Sequence, residues 1–157
     1  MSYKNENMKM IELHENGLDI QFRIRENGVV ELADFSSQEV KKAVMEPKDD
    51  ICYPAVEIHR SGTGSLNMHA YKNNINQSSV DFVYENHELK AQAGGKELEI
   101  VMISPEKLKA VYHMRLFDGV PAVQTWTEII NEGSEDQGLT YVSSFMYQGI
   151  SRGGEKP

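Results

Sequence analysis

Lys107-Leu-Lys-Ala-Val-Tyr-His-Met-Arg-Leu-Phe117, then Asp118-Gly119, then Val120-Pro-Ala-Val-Gln-Thr-Trp-Thr-Glu-Ile-Ile-Asn131: this run decides the fold. Two strand-length segments meet at one tight turn. Leu108, Ala110, Tyr112, Met114 and Leu116 recur with a period of two, and Lys107, Lys109, Val111, His113, Arg115 and Phe117 occupy the alternate face. After the turn, Val123, Thr125, Thr127 and Ile129 alternate with Gln124, Trp126, Glu128 and Ile130. Neither face of the second strand is purely polar, which places it near the middle of a sheet covered on both sides. A further strand is expected over Leu139–Ile150, where Leu139, Tyr141, Ser143, Phe145 and Tyr147 alternate.

Working outward, Leu18, Ile20, Phe22 and Ile24 alternate with Asp19, Gln21, Arg23 and Arg25, a strand with one buried face. Asn27-Gly28 supplies a hairpin turn, and Val29–Phe35 reads as the return strand. Ser36–Glu46 fits either a short helix or a polar strand. Ile51–His59 reads as a strand, with Pro54 favouring an edge or a bulge. Arg60–Asn67 and Asn73–Ser79 read as loops and Val80–Tyr84 as a short strand. His87–Gly95 is a loop or weak strand, and Leu98–Ile103 a further strand. No long amphipathic helix and no internal repeat is visible. The expected fold is all-β, a mostly antiparallel sandwich, incomplete at its C-terminal end. Its expected organisation is an N-terminal extension over 1–17, one domain over 18–150 and a tail or linker over 151–157, the opening part of something larger.

The chain has 157 residues, with 24 acidic against 16 basic side chains and a net charge of −8. That length suffices for one good core, burying roughly 70% of the unfolded surface. The acidic balance, with basic residues clustered no further than Lys41-Lys42, argues against a nucleic-acid or anionic-membrane partner. Cys52 is the single cysteine, so no internal disulfide can form. The N-terminal residues lack the apolar core of a signal peptide, and a cytoplasmic location is expected.

Local motifs for chemistry are sparse. His14, His59, His69, His87 and His113 form neither His-x-His nor His-Glu-x-x-His, and no metal or cofactor is expected. Gly62-Thr63-Gly64-Ser65 lacks the lysine and helix start of a phosphate loop, and no Gly-x-Ser-x-Gly elbow appears. Glu57, Asp81 and Glu128 are the strand-associated carboxylates available to a glycosidase-type pair, though a rim or solvent-facing charge is the commoner reading of each. Trp126 has two readings, core packing or a platform for stacking a sugar.

The hairpin residues also carry a resemblance. Tyr112–Gly133, followed by Leu139-Thr-Tyr-Val-Ser-Ser-Phe145, resembles the N-terminal β-sandwich (supersandwich) domain of glycoside hydrolase family 36, the α-galactosidase family. Tyr53-Pro54-Ala55-Val56-Glu57 with Gly62-Thr63-Gly64 is similar to that family's Tyr-Pro-x-Glu stretch and Gly-x-Gly-Asp loop. Tyr84-Glu85-Asn86-His87-Glu88 is similar to its Tyr-x-x-His-Glu element. The likeness spans roughly Leu18 to Ile150.

The resemblance implies a non-catalytic domain that precedes a separate (β/α)8 barrel. Both catalytic aspartates would lie on that barrel, so no catalytic residue is expected here. It further implies an α-galactoside or related oligosaccharide as ligand, and homo-oligomers in which the loop after Gly64 reaches a sugar pocket. In the family that loop continues with Asp, an aromatic residue, Arg and often Pro; here it reads Ser65, Leu66, Asn67, Met68 and His69. Asparagine cannot reproduce the fixed donor fork of arginine. The candidate pocket-rim or interface residues are therefore Glu57, Ser65, Asn67, His69 and Trp126. Two other readings stand beside this one, a free-standing carbohydrate-binding module and a structural assembly domain.

Overall fold

The computed structural model describes residues 9–37, 53–64 and 76–147. Among them the order is β1 (Lys9–Glu15), β2 (Leu18–Ile24), β3 (Val30–Ser37), β4 (Ile58–Arg60), α1 (Gln77–Val80), β5 (Val83–Gln92), β6 (Gly95–Ile103), β7 (Leu108–Phe117), β8 (Val120–Asn131) and β9 (Leu139–Val142). All pairings are antiparallel, and α1 is a single helical turn. The strands form a three-stranded sheet β1-β2-β3, a four-stranded sheet β5-β6-β7-β8 and a two-stranded β4-β9 pair, none of them closed into a barrel.

The three- and four-stranded sheets share one core. The inward row of β7, Leu108, Ala110, Tyr112, Met114 and Leu116, is fully buried, as its period of two requires. Leu98, Ile100 and Met102 of β6 flank it, and Ile11, Leu13, Ile20, Phe22 and Leu32 come from the other sheet. Phe22 meets Tyr112 edge-on with ring centroids 5.7 Å apart, a contact worth about 0.5–1.5 kcal/mol beyond its buried area.

Turn chemistry fixes the strand ends. Asn16 and Gly17, with φ of 52° and 83°, close β1 onto β2 in the two-residue geometry that needs positive φ at both positions. The Asn16 side chain then clamps the β7–β8 turn. Its Nδ2 donates to the Phe117 carbonyl at 2.8 Å, and its Oδ1 accepts from the Gly119 amide at 3.0 Å. Gly95, at the start of β6, lies so close to β7 that a Cβ there would sit 1.9 Å from the Leu116 carbonyl oxygen.

Several sequence expectations change. A paired strand, β1, precedes Leu18, in the stretch read as an N-terminal extension, because Ile11 and Leu13 add to the core. Among the described residues β8 is an edge strand, not a central one, with β7 as its single partner in the sheet. Its mixed faces have another cause: the inner face is half-covered by the core, and the outer face carries Trp126 against β7. Residues 87–92, read as loop or weak strand, complete β5, while α1 occupies the start of the expected strand over Val80–Tyr84. Within Ile51–His59 only Ile58 and His59 are extended among the described residues, and β9 stops at Val142.

The β4 strand is completed by side chains. β9 lies on one side; on the other, the buried Ser78 and Ser79 hydroxyls of α1 donate to the Ile58 carbonyl. The same hydroxyls accept from the Ile58 and Arg60 amides at 2.9 and 3.2 Å. Each buried backbone group thereby keeps a partner where no strand is available. Arg60 extends from this strand to Asp81 at 3.0 Å and to Glu106, in the β6–β7 turn, at 2.7 Å.

Candidate functional site

Two clusters of chemistry-bearing side chains stand out, on different faces of the molecule. The first surrounds Glu57, just before β4. Its amide donates to the Ser143 hydroxyl at 2.8 Å, while its carbonyl accepts from the Ser143 amide. Its carboxylate lies 2.8 Å from His59 Nε2. His59 pairs across the β4–β9 ladder with Tyr141, the rings 5.0 Å apart, and Tyr141 is half exposed. The result is a shallow acidic and aromatic surface.

The second cluster occupies the outer face of the four-stranded sheet. Glu97 and Glu99 are two residues apart on β6, so the pleat turns both carboxylates to the same side. Antiparallel register sets Glu99 opposite His113 of β7 and His113 opposite Trp126 of β8. His113 and Trp126 stack with centroids 4.6 Å apart and planes 5° from parallel. His113 Nδ1 is 3.0 Å from Glu97 Oε1 and 3.9 Å from Glu99 Oε1, and its Nε2 is 3.7 Å from Glu128 Oε2. Both Glu97 and His113 are buried although they face away from the core, because the neighbouring long side chains and the indole cover them. Gln92 Nε2 donates to Glu97 Oε2 at 2.7 Å, and Lys90 donates to Glu99 Oε2. That bond and the surrounding carboxylates raise the Lys90 ammonium above its ordinary value.

The candidate residues from the sequence thus separate. Glu57 belongs to the first cluster and Trp126 to the second. Thr127, on the opposite face of β8 from Trp126, donates to the Ser143 carbonyl at 2.8 Å, so the segment holding Glu57 lies on the inner side of β8 and Trp126 on the outer. Ser65, Asn67 and His69 lie outside the described residues. Trp126 is partly buried, but against His113 on the outer face and not within the shared core.

The Glu97–Glu99–His113 group escapes any search for local spacing, because its members come together through register. The available signal was Glu-x-Glu on one strand with a histidine in the next, readable once the β6–β7 pairing is fixed. The three inward ligand atoms lie within 4.8 Å of one another, which makes this the group among the described residues with donors suited to a metal ion. No helix among the described residues is long and apolar enough to cross a membrane. In comparison with known proteins, the chain matches no protein-family model and has no significant match to a curated protein.

Proposed function

We propose that this chain is a non-catalytic N-terminal β-sandwich domain of an α-galactosidase-like glycoside hydrolase, supporting a separate catalytic barrel. The support is the order of the quoted segments, from Tyr53–Glu57 through Tyr84–Glu88 to Tyr112–Gly133. In this reading the three- and four-stranded sheets are the two layers of the sandwich, and β4–β9 is the side that meets the barrel.

One observation carries the reading. Leu139 and Tyr141, on one face of β9, are 41% and 49% exposed, and Phe145 shortly beyond them is 40% exposed. Three large, partly exposed apolar side chains within so short a stretch fit a domain-docking surface. Hydrolysis needs two carboxylates held on opposite sides of one glycosidic bond. Glu57, paired with His59, and the Glu97–Glu99 pair, engaged by Lys90 and Gln92, lie in separate clusters.

The test is hydrolysis of a chromogenic α-galactoside by the full-length gene product and by residues 1–157 alone. The reading predicts turnover by the former and none by the latter. Turnover by the isolated chain, or none by the full-length product, overturns it. A second reading, a carbohydrate-binding module, is favoured by the half-covered indole of Trp126 beside Gln124 and Glu128, a flat apolar platform with polar neighbours. Saturable quenching of the single tryptophan by galacto-oligosaccharides would select that reading.

A further inference from the structure

We infer that Glu97, Glu99 and His113 bind a divalent transition cation of the zinc class on the outer face of the four-stranded sheet. The donor set is two carboxylates and one imidazole. Imidazole nitrogen favours zinc and its neighbours over calcium or magnesium. With metal–ligand bonds of about 2.0–2.2 Å, tetrahedral donors stand about 3.3–3.6 Å apart. The separations from Nδ1 of His113 to the two inward carboxylate oxygens, 3.0 and 3.9 Å, bracket that range, so side-chain adjustments below about an ångström would close the site.

The surroundings are arranged as a second shell. Each carboxylate has one oxygen turned towards His113 and the other held by an outer donor, Gln92 for Glu97 and Lys90 for Glu99. Trp126, stacked on the imidazole, fixes the ring plane. Such outer partners orient ligands and tune their affinity.

His113 itself supplies the independent indication. It is 8% exposed, and its Nε2 has no hydrogen-bond partner among the described residues, although Glu128 Oε2 faces it at 3.7 Å. With the proton on Nδ1 the Nε2 lone pair faces Glu128, and with it on Nε2 the Nδ1 lone pair faces Glu97 and Glu99, where a cation could sit. With a metal on Nδ1, the proton moves to Nε2 and points at Glu128, the usual carboxylate–histidine–metal arrangement. Three protein ligands leave a fourth position for water.

The experiment is calorimetric titration of the chelator-treated chain with zinc chloride, repeated with cobalt chloride to read the ligand-field absorption. The expected result is one saturable site per chain. Affinity should fall by at least about tenfold in Glu99→Gln and His113→Gln, and by about 10–100-fold in Glu128→Gln. His59→Gln, in the other cluster, should bind as the unaltered chain does. Circular dichroism confirms folding; Glu99 is partly exposed, so its variant decides the matter if His113→Gln does not fold. Absence of saturable binding to the unaltered chain overturns the inference and leaves His113 an imidazole held among carboxylates. Equal affinity in Glu99→Gln also overturns it, by placing the ion elsewhere.

Discussion

Replacing Arg60 with methionine should expose how β4 is held to the rest of the fold. The Arg60 side chain is 7% exposed and bonds two carboxylates from different segments, Asp81 after α1 and Glu106 in the β6–β7 turn. A hydrogen bond to a charged partner is worth about 1.5–3 kcal/mol when buried. Asp81 and Glu106 side chains are 26% and 43% exposed, so water recovers part of that loss. Methionine keeps the apolar stem packed. The net destabilisation should be about 2–3 kcal/mol, and Tm should fall by about 4–12 °C.

A pH signature accompanies the loss. Burial alone would raise the Glu106 carboxyl; its own backbone amide, the Arg60 guanidinium and the Ser104 hydroxyl outweigh that and hold it below its ordinary value of 4.5. A depressed carboxylate stabilises the folded chain above the unfolded value, and that stabilisation disappears as pH falls through the folded value. Urea unfolding over that range, with carboxyl-carbon NMR of Glu106, measures both effects. Arg60→Met should bring the Glu106 titration nearer 4.5 and flatten the acid loss of stability. A variant within about 0.5 kcal/mol of the parent, with Glu106 titrating unchanged, would refute the reasoning.

Other substitutions isolate single contacts. Gly95→Ala should cost about 1–3 kcal/mol in urea unfolding, because its Cβ meets a β7 backbone oxygen that cannot swing aside. Asn16→Gly keeps the turn's positive φ but removes the clamp on Phe117 and Gly119, for a cost of about 0.5–1.5 kcal/mol; Asn16→Ala should cost about 1 kcal/mol more, from left-handed strain. His87 is held below its ordinary 6.5 by burial and by Lys9, which reaches it through the Tyr84 hydroxyl. Protonation therefore favours the unfolded chain: the histidine imposes no penalty well above 6.5 and a growing one as pH falls below it. Between about pH 7.5 and about pH 5, His87→Gln should lose less stability than the parent in urea unfolding.

What the sequence revealed followed from strong periodicity. The Leu108–Leu116 row and the Asp118-Gly119 turn are legible because a one-residue slip would expose five buried side chains. The β1–β2 hairpin was legible in principle too, since Asn16-Gly17 is the same Asn-Gly turn signal as Asn27-Gly28 and Ile11 and Leu13 supply a strand's alternation before it. The edge position of β8 was not legible, since half-covered faces look alike on an edge strand and a central one. Nor was α1, whose buried serines stand in for a strand and follow no hydrophobic pattern. Nothing in the residue order separates the Glu57 and Trp126 candidates. Only pairing and sheet thickness reveal that they face apart, and that the denser polar group lies at Glu97, Glu99 and His113.

Amide hydrogen exchange across Leu139–Phe145 tests the proposed role most directly. It should be followed in residues 1–157 and in the full-length gene product under identical conditions. The account predicts that exchange there slows by at least about tenfold in the full-length product, as a docked barrel covers Leu139, Tyr141 and Phe145. Identical exchange in the two proteins would contradict the docking surface and the supporting role built on it.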